Sequence, residues 1–96
     1  MLESWWNNMK TVYLFEGYLK ATIDDNFVVF ESDGILCEGT CEFTKDSENN
    51  NAHISLSMYR DKRKNKTYRS RRYLAMKHME KWFYSQCCKL KELGYL

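Results

Sequence analysis

Apolar and polar residues alternate along most of the first half of the chain, and this period of two constrains the fold more than any other feature. Between Thr11 and Ile23 the odd positions are mainly apolar and the later even positions mainly polar. The alternation recurs over residues 35–44 and 53–59, and residues 27–32 form a further short apolar run. Successive side chains of a strand point to opposite faces, so we predict half-buried antiparallel strands in these segments.

Turn signals separate these segments. Asp33-Gly34 suits a two-residue type I′ hairpin turn, in which both central residues need positive φ. Residues 45–51, KDSENNN, form a polar loop without any apolar residue. The chain contains no proline that would interrupt a strand ladder. We therefore predict an antiparallel β-meander of four or five strands.

The C-terminal quarter changes to a helical period. From about Ser70 to Leu93 the apolar residues recur at intervals of three and four, which is typical of an amphipathic helix. Gly94 follows as a natural C′ residue. We expect an α+β fold in which this helix covers one face of the sheet. The 96 residues fit one domain, with an N-terminal segment at 1–10, the sheet at 11–69 and the helix at 70–94.

Charge is distributed unevenly along the chain. Residues 1–59 carry ten acidic against three basic residues, whereas residues 60–96 carry twelve basic against three acidic residues. The basic charge is concentrated in residues 60–73, RDKRKNKTYRSRRY, which contain eight Lys and Arg and one Asp. Such asymmetry indicates an anionic partner or self-complementary association, and does not decide between them.

The basic run has two parts in the expected fold. Its first part is the loop that leaves the last strand, where the candidate phosphate-binding residues are Arg60, Lys62, Arg63, Lys64 and Lys66. Its second part places Arg69, Arg71 and Arg72 at the start of the helix. The positive end of the helix dipole disfavours cations there, so three arginines beside free backbone N–H groups indicate an anion site.

A second candidate surface lies on the helix face opposite the apolar stripe. There Lys77 and Lys81 lie between Tyr73 and Tyr84, and this mixture of basic and aromatic residues suits phosphate neutralisation with base stacking. Tyr68 is a third candidate for stacking. The simpler alternative is a solvated face whose lysines and tyrosines have no partner.

These features predict a non-catalytic nucleic-acid-binding module, with DNA and RNA left open. Residues 54–82 are loosely similar, in their order of strand, basic turn, short strand and helix, to the DNA-binding modules of phage integrases that consist of a three-stranded sheet and a helix. The alternative is a small phage-type inhibitor or adaptor that docks its basic surface on an acidic or nucleic-acid-handling site of a host protein. Self-association through Trp5 and Trp6, or through an acidic sheet face, also remains open. That face is expected to carry Glu16, Glu38 and Glu42.

Catalytic and metal-binding patterns are not recognisable in the sequence. Cys37 and Cys41 lie four apart on one expected strand, too far for a disulfide unless the strand is bulged at Gly39. A bridge from either of them to Cys87 on the helix remains geometrically possible. We expect no enzyme activity, no metal and no cofactor. With no signal peptide and no apolar run of about 20 residues, we expect a cytoplasmic protein without membrane contact.

Overall fold

The computed structural model of the chain describes residues 9–44 and 51–96. Within these ranges six strands form one antiparallel sheet, in which their spatial order is their order in the chain. The strands are β1 (Met9–Leu14), β2 (Leu19–Asp24), β3 (Phe27–Glu31), β4 (Ile35–Phe43), β5 (Ala52–Asp61) and β6 (Lys66–Tyr68). The helix α1 (Leu74–Glu92) packs mainly on β5 and β4. The expected α+β meander is confirmed, but the expected count of four or five strands is wrong.

One of the missed strands lies in the segment predicted as a single strand from Thr11 to Ile23. A turn divides it, because Phe15 and Glu16 both adopt positive φ, of 52° and 59°, and the Tyr18 N–H donates to the Phe15 carbonyl at 3.2 Å. Bulky residues rarely adopt this conformation, so Phe15 and Glu16 give no signal for the turn. The signal in the sequence is Gly17, which also has positive φ, of 90°. The face pattern before the turn is therefore reversed, with Val12 and Leu14 buried and Tyr13 62% exposed.

The Asp33-Gly34 connection joins β3 to β4 as expected, but with a different backbone. Neither residue has positive φ, so the turn is not of type I′. The hairpin is closed instead by the Ser32 N–H, which donates to the Ile35 carbonyl at 3.0 Å.

The second missed strand, β6, pairs with the end of β5, beyond a bulge in the pairing of β4 with β5. The register shifts between Glu38 and Gly39, so that Ser57 has no partner of its own in the ladder. A Cβ on Gly39 would lie 2.6 Å from the Ser55 carbonyl oxygen, a spacing that only glycine allows. Beyond the bulge Tyr59 faces the helix instead of solvent, and Tyr68 of β6 pairs opposite it.

The core lies between the sheet and α1. Phe30 of β3 meets Phe83 and Trp82 of the helix in edge-to-face contacts, with ring centroids 5.4 and 5.7 Å apart. Cys37 and Cys41 complete the buried sheet face. Complete burial of a side chain as large as Phe30 or Phe83 contributes roughly 1.5–3 kcal/mol.

Helix α1 begins at Leu74 and not at Ser70, because the chain is still paired in β6 up to Tyr68 and then turns. The Tyr73 N–H donates to the Ser70 carbonyl at 3.4 Å in this turn, and Tyr73 itself is the N-cap, with extended backbone and no side-chain cap. At the other end Gly94 adopts φ of 90°. The Tyr95 N–H then reaches the Leu90 carbonyl at 2.9 Å, closing a Schellman motif. No helix in the described ranges has the length and apolarity to cross a bilayer.

Candidate functional site

The connection between β5 and β6, together with the strand residues that flank it, is called the basic tip below and comprises residues 60–66. Its one acidic residue, Asp61, is 6% exposed. The Asp61 Oδ1 accepts hydrogen bonds from the backbone N–H groups of Arg63 at 3.0 Å and Lys64 at 3.3 Å. This Asx turn fixes the backbone of the tip and directs the neighbouring cations outward. Asp61 thus has a structural role, although a count of charges shows it only as one acidic residue within a basic run.

The five cations of the basic tip do not have equal freedom. Arg60 Nη2 donates to Asn65 Oδ1 at 2.6 Å. Lys62 Nζ is held by Glu31 Oε1 at 3.3 Å and by the Ser32 carbonyl at 3.0 Å. The remaining three, Arg63, Lys64 and Lys66, are exposed. Arg63 is only weakly paired, with its Nε 3.9 Å from Asp61 Oδ1.

The expected placement of three arginines at the helix start is wrong. Arg69, Arg71 and Arg72 lie in the segment before α1 and not in its first turn. Arg71 instead reaches forward to the helix, and its Nε donates to Glu80 Oε1 at 2.7 Å. The helix-dipole argument for an anion site therefore loses its basis, because none of the three arginines belongs to the first turn of α1.

A groove of about 570 Å³ lies on one flank of α1. It is called the helix groove below and is lined by Ile54, Arg71, Lys77, Glu80, Lys81 and Tyr84. The four helix residues recur at intervals of three, one and three, which places them on one side of the helix. Lys77 and Lys81 are exposed and form no ion pair with any described residue. The helix groove brings together four of the residues singled out in the sequence: Arg71, Lys77, Lys81 and Tyr84.

Tyr84 stands at the end of the helix groove near the last residues of β4. Its ring lies 6.5 Å from that of Phe43, and the Lys91 ammonium lies 4.6 Å from the Phe43 ring centre. A hydrogen bond with Cys88 raises the pKa of the Tyr84 phenol. The helix face that the sequence predicts to be exposed is therefore bordered by β4 along the last turns of α1.

The other two stacking candidates pack against each other. Tyr68 stacks on Tyr59 with centroids 5.5 Å apart and planes 17° apart. Tyr73 meets the Tyr68 ring edge-on, with ring centroids 5.5 Å apart. The Lys66 ammonium lies 5.5 Å from the centre of the Tyr68 ring. Tyr68 is thus half-buried, whereas Tyr73 is 53% exposed and keeps an accessible ring.

The acidic surface proposed for self-association is only partly assembled. Glu38 and Glu42 alternate with buried Cys37 and Cys41 and so lie on the sheet face away from α1. Glu16 lies in the β1–β2 turn and does not belong to that face. Trp5 and Trp6 lie outside the described residues.

The thiols and imidazoles form no metal site in the part of the chain that the structure describes. All four cysteines are free. Buried Cys87 donates a hydrogen bond to Cys41, which raises the pKa of Cys87. Burial raises the pKa of Cys37 to about 12. Cys37 and Cys87 are therefore protonated core thiols, whereas the same hydrogen bond from Cys87 lowers the pKa of Cys41.

Comparison with protein families, curated proteins and solved structures finds no match for this chain. Its function must accordingly be argued from the side chains themselves.

Proposed function

We propose that the protein is a non-catalytic nucleic-acid-binding module that contacts phosphates through the helix groove and the basic tip. The observation that carries the proposal is the helix groove, where Arg71, Lys77 and Lys81 surround a site next to the Tyr84 ring. Lys77 and Lys81 have no carboxylate partner among the described residues. Cations without partners beside an aromatic ring suit a polymer that offers both phosphates and bases.

Arg71 supports the proposal because it lines the helix groove and is also bound to a residue of the helix. Its Nε is bound to Glu80 Oε1 at 2.7 Å, so the guanidinium is held in place rather than free to rotate. A guanidinium has five N–H donors, and the bond to Glu80 uses one of them. The remaining donors can meet a phosphate with two parallel hydrogen bonds. Glu80, which the sequence did not single out, is then a positioning residue.

The basic tip supplies a second group of cations on a fixed backbone. Because Asp61 orders the turn, Arg63 and Lys64 lose less conformational entropy on binding than they would in a mobile loop. Two separated cationic surfaces on one small domain favour an extended anionic chain over a small anion.

Binding to labelled duplex and single-stranded DNA and RNA, measured by fluorescence anisotropy over a salt series, tests the proposal. We expect binding at about 50 mM salt that weakens linearly in log salt, by about 0.9 per neutralised phosphate on duplex and 0.7 on a single strand. No binding to any of these polymers at about 50 mM salt would contradict the proposal. It would favour the acidic protein surface as the partner.

A further inference from the structure

A second cavity, of about 330 Å³, lies on the opposite flank of α1. It is called the aromatic cleft below. Its walls include Phe15 and Tyr18 from the β1–β2 turn and Trp82 from the helix. Phe15 is 57% exposed and Tyr18 is 77% exposed, so both rings are available to a ligand. Sites of this volume fall at the lower end of small-molecule pockets and suit one compact group.

Gln86 lines the aromatic cleft from the next turn of the helix. Its Oε1 is buried and accepts no hydrogen bond from any described residue. Buried polar atoms are almost always satisfied in native proteins, so an unpaired acceptor is costly where it stands. A rotation of the Gln86 side chain toward the cleft would let a ligand N–H donor satisfy it. Folding alone would be served better by an apolar residue of similar size.

The β1–β2 turn adds an independent observation. Phe15 and Glu16 are both held at positive φ, a conformation with an energetic cost that persists where the surroundings or the function require it. This strained turn is what carries Phe15 and Tyr18 to the edge of the aromatic cleft.

Arg63 of the basic tip completes the cleft. Its side chain passes over Gly34, where a Cβ would lie 3.6 Å from the Arg63 Nε. The side chain is 79% exposed, so the guanidinium is available to an anion at the mouth of the cleft. The cleft therefore offers aromatic walls, one unpaired acceptor and one cation.

We propose that the aromatic cleft receives the base of one unpaired nucleotide, with its phosphate on Arg63 and with its N–H edge on Gln86 Oε1 after the Gln86 amide turns from its buried position toward the cleft. This inference rests on the proposed nucleic-acid binding and adds a preference for single strands, because a base within a duplex is stacked and its edge is paired. Every base carries an N–H donor on that edge. A phenylalanine or leucine side chain of a peptide would leave the Gln86 acceptor unsatisfied. The further cations of the basic tip also favour a polyanion.

The test compares a short oligothymidylate with an abasic deoxyribose-phosphate oligomer of equal length. Wild-type protein is expected to bind the oligothymidylate more tightly at equal salt. Tyr18→Ala is expected to weaken that binding by about fivefold or more, as is usual when one stacked base loses its ring, and to leave abasic binding unchanged. Tyr13→Ala is the matched control, since Tyr13 is 62% exposed and does not line the cleft.

Gln86→Leu distinguishes a ligand-binding role of Gln86 from a purely structural one. It removes an unsatisfied acceptor, so the thermal midpoint of the free protein is expected to stay or rise while oligothymidylate binding weakens. A fall in the midpoint would show that Oε1 is satisfied in the free protein and would overturn the inference.

The failures of the two proposals are distinguishable. Equal affinity for both oligomers, or cleft variants that bind like wild type, overturns the aromatic cleft as a base site. Salt-dependent binding of duplex and abasic strands would then still support the proposed function. Failure of every oligomer to bind overturns both.

Discussion

Replacement of Asp61 tests whether the basic tip is an ordered element or only a run of charge. The carboxylate is 6% exposed and accepts two backbone hydrogen bonds, at 3.0 and 3.3 Å. Asp61→Ala removes the oxygen that accepts both bonds and leaves the Arg63 and Lys64 N–H groups without this partner. Loss of charge-assisted bonds of this kind costs roughly 1–3 kcal/mol.

Asp61→Asn separates geometry from charge. An Asn side chain keeps an oxygen that can accept the same two bonds, so we expect a cost of about 1 kcal/mol or less. For a domain of this length, 1 kcal/mol corresponds to a shift of roughly 4–8 °C in the thermal midpoint. The expected order of stability is therefore wild type, then the Asn variant, then the Ala variant.

Urea unfolding followed by circular dichroism measures these differences, with Asp33→Ala as the control. Asp33 is exposed in the β3–β4 connection and makes no hydrogen bond or ion pair within the described ranges, so its removal should change little. Asp61→Ala with a stability within about 0.5 kcal/mol of wild type would refute the role of this carboxylate, because surface substitutions fall in that range. The Asn variant, more positive with the tip intact, is expected to bind nucleic acid at least as tightly as wild type.

Gly39→Ala is expected to lower the free energy of unfolding by about 1–3 kcal/mol, because the new Cβ would lie 2.6 Å from a backbone oxygen. Gly34→Ala is the control, and equal stability of the two variants would contradict the close approach at Gly39. Burial raises the pKa of Cys37 to about 12, so the unfolded thiol loses its proton at lower pH than the folded one. Stability should then fall as pH rises from about 9 towards 12, with a slope of up to about 1.4 kcal/mol per pH unit from this thiol, and the slope should be shallower in Cys37→Ala. Half-buried Cys88 should be alkylated faster by iodoacetamide than the three buried thiols, and mass spectrometry showing rapid modification of Cys37 would contradict this.

The sequence predicts the fold where hydrophobic periodicity and backbone agree. Leu19, Ala21 and Ile23 are buried as their alternation indicates, and Gly94 ends the helix as a C′ residue. The period fails at the Phe15 turn, since Phe15 and Glu16 do not favour positive φ and Gly17, which does, fits the alternating pattern as an inward-facing residue. It fails again after Ser57, because a bulge reverses the facing of every later residue on the strand.

The candidate site could be predicted in composition but not in arrangement. Lys77, Lys81 and Tyr84 share a helix flank, which their spacing alone indicates. The ion pair of Arg71 with Glu80 spans nine positions across the helix start, so no local rule finds it. The aromatic cleft was missed altogether because it joins four separate segments, and its decisive feature is an unpaired atom of Gln86.

The salt dependence of single-strand binding by Lys77→Gln/Lys81→Gln tests the helix groove most directly. These substitutions remove two exposed cations that make no ion pair among the described residues, so stability should be unchanged. We expect the slope of log affinity against log salt to become shallower by about 1.4, that is about 0.7 for each lost phosphate contact. The matched control is Lys10→Gln/Lys20→Gln, with the same change in net charge at exposed positions of β1 and β2. If both double variants reduce the slope equally, the binding follows net charge alone and the helix groove is not the site.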